Sequence, residues 1–534
     1  MYDNFTRGGQ IVLHKIRMFF QIFVRTSIIA AFISFIFFGL KSYTDYKPYE
    51  YYLYFSYIWA DLKLSFDDSH KIKQNFWNGK GQTKEVPSIS ILRNKAFKEN
   101  THKINQTLIK NLYLSILAWI CIFIFTAIFW IWRGKILSEK KHLSGGKRVN
   151  DRQLSKLIKR KDSSKIKIAN IPVPQSALKT HFLVTGTTGS GKTNCLHEFL
   201  EQIRNQHQKA VVIDLTGELV SCYYRPEKDF ILNPFDERSQ NWNMWSECVT
   251  PYDFDDLAES MIPDNLQDPF WAQSSRILLS AAAQKFKGKN PSMTKLLDVL
   301  LKSSHSEFSD FFKDTDAFSF ASRDAEKTAA SIRATVSANL HCFKYLENNE
   351  NSFSVTEWVQ NNQEDTWLFI TTLPSQRAAL RPLLSSWTNI VFKALMALSP
   401  DPKRQLWCIV DELPALNKLP KLATFLAEAR KYGGSLVLGL QDIPQLDKIY
   451  STHEAKSIIG LCNTKVIFRA GDADTAKRLS QLFGESEISE IVKNVSFGAN
   501  EIRDGISMSE HRKLQPLVTP TECMNLDPLE AIIK

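Results

Sequence analysis

The chain has 534 residues, of which 44% are hydrophobic and 23% charged, so it is too long for one ordinary domain and apolar enough to bury a sizeable core. Its net charge of +11 is unevenly distributed, because residues 1–167 carry 29 Lys and Arg against 11 Asp and Glu, whereas residues 168–534 carry 38 against 45. Residues 168–534 are therefore acidic overall. This excludes a domain that binds nucleic acid through a basic surface all round, so any DNA-binding surface on these residues must be local.

Two apolar stretches near the N-terminus predict a membrane anchor. Residues 112–132 are 21 consecutive uncharged residues, and as a helix they span about 31 Å, the thickness of a bilayer's hydrocarbon core. Residues 18–40 form a second candidate span, interrupted by Arg25, whose side chain we expect at the lipid headgroups. A buried core helix at 112–132 and a signal peptide at 18–40 are the alternatives.

The basic residues predict how this anchor is oriented. Residues 133–167 contain 13 Lys and Arg against 3 Asp and Glu, and Arg7, Lys15 and Arg17 precede the first span. Both ends are thus predicted to be cytoplasmic, with residues 41–111 on the far side, in an N-terminal membrane domain of residues 1–135. The basic linker at 136–170 is interpreted as a topology signal and a contact for anionic lipid, with a DNA-binding arm as the alternative.

A P-loop pattern, G-x-x-x-x-G-K-[ST], follows an apolar run at 181–184 that we interpret as a buried strand. The amphipathic residues 194–206 after it predict the helix whose N-terminus faces the phosphates. In this pattern the backbone wraps the phosphates of ATP, Lys192 reaches the β- and γ-phosphate oxygens, and the Thr193 hydroxyl binds Mg²⁺. The predicted nucleotide-binding residues are Gly186, Thr187, Thr188, Gly189, Ser190, Gly191, Lys192 and Thr193.

Short apolar runs beyond the P-loop predict an α/β fold with a mainly parallel sheet. They lie at 209–216, 229–233, 367–371, 405–410, 435–439 and 464–468. Residues 240–355 show helical periodicity instead, which predicts an all-α insertion between two parts of the nucleotide-binding domain, 171–239 and 356–534.

The strand at 406–410 ends in Asp411 and Glu412, the form of a Walker B element. Asp411 is predicted to hold the water shell of Mg²⁺, and Glu412 to orient or deprotonate the water that attacks the γ-phosphate. An acidic pair that caps the next helix is the alternative. Gln441, at the end of a later strand, is a candidate sensor of the γ-phosphate or a turn residue.

Arg430 lies in the segment 428–433, at the C-terminal end of a predicted helix. A basic residue at this position suits the helix dipole. The sharper interpretation is an arginine finger that reaches the nucleotide site of a neighbouring subunit and so couples hydrolysis to oligomerisation.

Taken in order, these features resemble the coupling ATPases of type IV secretion, in particular TraD-like conjugation proteins. The resemblance covers most of the chain and also includes residues 233–246, beginning NPFDERSQNW, and the segment FWAQSSR at 270–276. It implies a RecA-like motor with an inserted all-α domain, assembled as a hexamer at the bacterial inner membrane.

The resemblance also implies substrates and residue roles. Single-stranded DNA with a bound relaxase is the implied cargo, a type IV secretion channel the implied partner, and ATP hydrolysis the implied source of energy. Gln441 matches the family's motif III glutamine and Arg430 its trans-acting arginine. No long acidic tail follows residues 525–534, so recruitment through such a tail is not expected. A coupling ATPase that selects protein effectors and a nucleotide-dependent receptor without translocase activity are the alternatives.

Overall fold

The computed structural model describes residues 2–66, 72–77, 82–138, 140–264, 268–288, 291–346, 352–361, 365–496 and 505–534. They form two compact units: Met1–Leu143 with Ile488–Lys513, and Ser144–Glu487 with Leu514–Lys534. The strands in chain order are β1 (Lys73–Trp77), β2 (Thr83–Pro87), β3 (Lys141–Gly145), β4 (Lys167–Ile168), β5 (Ile171–Pro172), β6 (Phe182–Thr185), β7 (Lys209–Asp214), β8 (Phe230–Leu232), β9 (Trp367–Thr371), β10 (Leu406–Val410), β11 (Gly434–Leu440), β12 (Thr464–Ile467), β13 (Glu485–Ser496), β14 (Gly505–Pro516) and β15 (Ile532–Ile533).

The first unit is built around long helices. Its described helices are α1 (Tyr2–Asp45), α2 (Pro48–Phe66), α3 (Ser88–Arg93) and α4 (Lys95–Ser138). Helices α1 and α4 pack together, since the Trp119 indole N–H donates to the Ser27 carbonyl at 3.2 Å and the rings of Phe23 and Phe123 meet at 5.1 Å. Strands β1 and β2, which lie between α2 and α3 in the sequence, form an antiparallel pair.

Helices α1 and α4 are long and apolar enough to cross a membrane, over Ile16–Asp45 and Lys95–Leu137. Only 11% and 6% of their most apolar windows are buried, so large side chains such as Phe35 and Ile131 face outward. The predicted spans at 18–40 and 112–132 lie inside these helices. Residues 67–71 and 78–81 of the predicted far-side segment lie outside the described residues.

The second unit contains a sheet of eight described strands in the order β15-β12-β6-β11-β10-β7-β9-β8. Neighbouring strands from β12 to β8 are parallel, and β15 alone in this sheet pairs antiparallel, with β12. Strands such as Leu406–Val410 are buried on both faces, which explains their unbroken apolar runs. Each of the seven strands predicted here is present, with ends shifted by at most two residues.

Helices cover both faces of this sheet. The described α-helices of this unit, in chain order, are α5 (Asp151–Lys161), α6 (Lys192–Asn205), α7 (Glu218–Tyr223), α8 (Pro251–Met261), α9 (Pro269–Phe286), α10 (Met293–Leu297), α11 (His305–Phe312), α12 (Phe318–Ala321), α13 (Glu326–Leu340), α14 (Val355–Gln360), α15 (Arg377–Met396), α16 (Leu422–Glu428), α17 (Ile443–Leu461), α18 (Ala473–Phe483) and α19 (Pro520–Met524). The sheet and helices together confirm the predicted α/β fold class.

Between β8 and β9 the described residues form helices and turns without a strand, as the sequence predicts for 240–355. This segment packs on the sheet's own core: Trp242 and Trp387 are almost fully buried and meet edge to face at 5.6 Å. The limits of the insertion stay a prediction, and its residues 265–267, 289–290 and 347–351 lie outside the described residues.

A three-stranded sheet in the order β14-β13-β3 and the pair β4-β5 complete the described strands. The apolar runs of the sequence do not predict these strands, nor β1, β2 and β15. Every residue of β3 is exposed, so it has no apolar run by which a strand is identified.

Candidate nucleotide-binding site

The P-loop joins β6 to α6 through a turn that depends on glycine. Gly189 and Gly191 have φ angles of 75° and 117°, where a side chain is strained. The Gly186 N–H donates to the Leu440 carbonyl at 3.1 Å, and a Cβ on Gly186 would lie 2.6 Å from the Cβ of Phe468. The P-loop is thus held in position by contacts with the residues at the ends of β11 and β12.

The other loop residues take distinct positions. Ser190 is buried, and its backbone N–H and hydroxyl both donate to the Thr187 carbonyl, at 3.1 and 2.7 Å. The Thr187 N–H donates to the Arg469 carbonyl at 3.0 Å. Thr188 is exposed at the tip, whereas Thr193 is half-buried in the first turn of α6, where the positive end of the helix dipole lies.

Lys192 connects the P-loop to the Walker B pair. Its side chain is 7% exposed, and its Nζ lies 2.8 Å from Glu412 Oε2 and 3.5 Å from Asp411 Oδ1. It also donates to the Asp411 carbonyl at 3.0 Å. One ammonium and two carboxylate groups thus form a largely buried ion cluster at the carboxyl edge of the sheet.

Asp411 follows directly on β10 and is packed against β11. A Cβ on Gly439 would lie 1.7 Å from the Asp411 carbonyl oxygen, so only glycine permits this approach. The buried Oδ1 of Asp411 accepts no hydrogen bond. This oxygen forms an ion pair with the Lys192 ammonium at 3.5 Å, and a buried carboxylate oxygen that accepts no hydrogen bond is suited to bind a cation.

Glu412 and Gln441 lie next to each other at the same edge. Burial raises the pKa of the Glu412 carboxyl, and the neighbouring Lys192 ammonium partly opposes this. The backbone N–H of Gln441 donates to Glu412 Oε1 at 3.4 Å. The structure therefore brings together Lys192, Asp411, Glu412 and Gln441, as the sequence predicts.

Arg430 lies elsewhere. It is exposed in a 3-10 turn, Ala429–Tyr432, that follows α16 and precedes β11. Gln441 follows β11, so the length of this seven-residue strand, about 20 Å, separates Arg430 from the P-loop of its own chain. Charges of both signs lie near it: burial lowers the pKa of the half-buried Lys179, Asp401 opposes this, and Arg430 lowers the pKa further.

Sequence analysis missed the part of the chain that closes the site from the other side. Strand β15 pairs with β12, and the residues before it cross the P-loop, where the Leu529 N–H donates to the Ser190 carbonyl at 2.8 Å. The signal in the sequence is only the apolar pair Ile532 and Ile533, which is too short for a strand prediction.

A parallel α/β sheet in which a P-loop lysine meets two carboxylates at a strand end defines the class of P-loop ATPases. The family model of the type IV secretion-system coupling protein DNA-binding domain matches residues 165–534. The chain belongs to the type IV secretion-system coupling proteins, as its motifs predicted. It is a P-loop ATPase with a coupling role in conjugation.

Relatives of known identity and solved structures agree with this assignment. The chain is 31% identical to the coupling protein TraD of Escherichia coli strain K12. The alignment is 549 residues long and covers 99% of this chain and 76% of TraD. It is 25% identical over 394 residues to the conjugal transfer protein TraG of Escherichia coli, covering 65% and 62% of the two chains.

Crystal structures of the coupling protein TrwB are similar to this fold. The unbound form of TrwB lacking its N-terminal 70 residues matches with a TM-score of 0.66 and 30% identity, covering 74% of this chain and 91% of that one. TrwB in complex with ADP and Mg²⁺ gives the same TM-score and identity, covering 74% and 92%.

Proposed function

We propose that the chain is a membrane-anchored motor that hydrolyses ATP to drive single-stranded DNA with its bound relaxase into a type IV secretion channel. The observation that carries the proposal is that Lys192 Nζ lies within 3.5 Å of a carboxylate oxygen of Asp411 and of Glu412, at the carboxyl edge of the sheet. When a nucleotide binds, the ammonium group of this lysine can exchange its carboxylate partners for phosphate oxygens.

In this proposal residues 186–193 bind the phosphates of ATP through their backbone, and Lys192 leaves Glu412 for the β- and γ-phosphates. The departure frees Glu412 to accept a proton from the attacking water. Gln441, whose backbone already contacts Glu412, then senses whether the γ-phosphate is present.

Asp411 and Thr193 are proposed to hold Mg²⁺, Asp411 through the water shell of the ion. The buried Oδ1 of Asp411, which accepts no hydrogen bond, supports this role, and so does the complex of TrwB with ADP and Mg²⁺. When bound, Mg²⁺ neutralises the negative charge of the β- and γ-phosphates.

Arg430 is proposed to act on the site of a neighbouring subunit in a homo-hexamer. Its exposure and its separation from its own P-loop by the length of β11 support this, because an arginine finger acts from one subunit on the nucleotide of another.

We further propose a multi-pass protein of the bacterial inner membrane with α1 and α4 as its spans. Their outward apolar side chains support contact with lipid, and the basic residues 133–167 support a cytoplasmic ATPase with the N-terminus on the same side. The segment at 41–111 is then periplasmic.

The proposal is tested on the full chain in lipid nanodiscs by measuring ATP hydrolysis with and without single-stranded DNA. We expect stimulation by DNA, and a loss of at least about 100-fold in Lys192→Ala because the phosphates lose their buried cation. A rate independent of DNA and of protein concentration would contradict the proposal.

Two other outcomes point to the alternatives. Stimulation by a secreted effector protein and not by DNA indicates a protein cargo, which the acidic body also accommodates. DNA transfer that survives Glu412→Gln unchanged indicates a receptor in which hydrolysis is not used.

A further inference from the structure

The C-terminal segment, residues 525–534, lies directly on the P-loop. Besides the hydrogen bond from Leu529 to Ser190, a Cβ on Gly191 would lie 3.2 Å from the Leu529 Cα. The segment is fixed to the sheet, since Lys465 and Lys534 exchange both backbone hydrogen bonds at 2.9 Å. Its contact with the P-loop is therefore a built part of the fold.

Leu529 combines two features that stability does not explain. Its φ is 67°, in the left-handed region that is unfavourable for a leucine, yet the residue is 66% exposed. The Leu529 Cδ2 packs at Gly191, where an added Cβ would lie 3.2 Å from it, but most of the residue's surface stays exposed, so little apolar burial offsets the backbone strain. An apolar side chain held at the rim of a phosphate-binding loop suggests that a ligand covers it.

The order of the strands decides which end of a nucleotide approaches Leu529. Strand β6 lies between β11 and β12, and the hydrolytic residues Glu412 and Gln441 follow β10 and β11. A triphosphate whose γ end points to those residues directs its nucleoside the opposite way, toward β12 and β15. The segment that carries Leu529 lies on that side.

We propose that the Leu529 side chain packs on the nucleoside of the bound nucleotide, so that residues 525–534 form the base-side wall of the site. The inference rests on the proposed function in one respect, that residues 186–193 bind the phosphates. Leucine methyl groups contact the face of any purine, so the wall adds affinity for ADP and GDP alike without selecting between them.

The test compares ligands with and without a nucleoside on the full chain in nanodiscs, using the dissociation constants of Mg-ADP, Mg-GDP and Mg-pyrophosphate from calorimetry. In Leu529→Ala we expect both nucleotides to bind about tenfold more weakly and pyrophosphate to bind as before. Leu514→Ala is the matched control, because Leu514 is also 66% exposed, and it should change none of the three constants.

A second variant separates the side chain from the backbone. Leu529→Gly removes the same side chain but adopts a φ of 67° without strain, so it keeps the segment in place and should lose nucleotide affinity as Leu529→Ala does. Full ADP affinity in Leu529→Gly with weak binding in Leu529→Ala would overturn the proposal, because the alanine effect would then come from a displaced backbone.

Four further results also decide between explanations. Unchanged ADP affinity in both variants, or an equal loss for pyrophosphate, overturns the contact with the nucleoside. Loss of the oligomer in light scattering with ADP affinity intact assigns Leu529 to a contact between subunits, which also overturns it. Pyrophosphate binding that Lys192→Ala leaves unchanged contradicts the proposed phosphate site itself and not the role of Leu529.

Discussion

At the scale of single residues, the proposed chemistry of the site depends on the ion cluster of Lys192, Asp411 and Glu412. The three groups are almost dehydrated, so the lysine stabilises the two carboxylates only as long as no phosphate competes for it. Replacement of one carboxylate partner by phosphate is therefore the event that changes the protonation and hydrogen bonding of Glu412.

The raised pKa of Glu412 gives a prediction for the pH dependence of hydrolysis. A general base acts only when deprotonated, so kcat/KM, which reports the free enzyme, should fall with decreasing pH at a value above the ordinary glutamate pKa of about 4.3. The measurement is the pH profile of DNA-stimulated ATPase activity. Glu412→Gln should retain nucleotide binding and lose this acidic limb together with most of the rate, and an acidic limb that persists in Glu412→Gln would assign it to another group.

At the scale of elements, the carboxyl ends of β6, β10 and β11 hold the site together through backbone contacts. Gly186 is bonded to Leu440, and Gly439 touches the carbonyl of Asp411. These contacts set the position of the Walker B carboxylates relative to the P-loop.

The contact at Gly439 leads to a stability prediction. In Gly439→Ala the new methyl group would overlap the Asp411 carbonyl, so β10 and β11 must separate at an expected cost of about 3 kcal/mol. The melting temperature of the full chain, followed by circular dichroism, should fall clearly. Gly460→Ala is the control, because nothing lies within 4 Å of that methyl group in helix α17, and it should leave the melting temperature unchanged or raise it.

A melting temperature for Gly439→Ala equal to that of Gly460→Ala would show that the two strand ends move apart without cost. The packing described for the Walker B element would then be wrong.

The elements also show what sequence alone predicts and what it does not. Apolar runs such as 367–371 and 406–410 predict strands because both faces of a parallel sheet are buried. Strands β3 and β15 are not predicted in this way, because β3 is exposed throughout and β15 has only two residues. Leu529 is missed for a related reason: it reaches the P-loop through a pairing between segments far apart in the chain, which local patterns do not report.

At the scale of the whole molecule, the role proposed for Arg430 links activity to assembly. The residue precedes β11 whereas Gln441 follows it, so Arg430 lies at the edge of the sheet opposite the P-loop. The neighbouring Lys431 is also exposed, so Lys431→Ala controls for the loss of a charge at this surface. We expect Arg430→Ala to lose hydrolysis while keeping nucleotide affinity, and Lys431→Ala to keep both.

The most direct test of a motor whose sites are completed between subunits is a mixing experiment. Lys192→Ala chains lack a working P-loop but keep Arg430, and Arg430→Ala chains keep the P-loop. Each alone should be inactive, whereas an equal mixture should recover about a quarter of the wild-type DNA-stimulated ATPase rate, since about one interface in four joins an intact loop to an intact arginine. A mixture as inactive as its two components, with mixed oligomers demonstrated, would contradict the account.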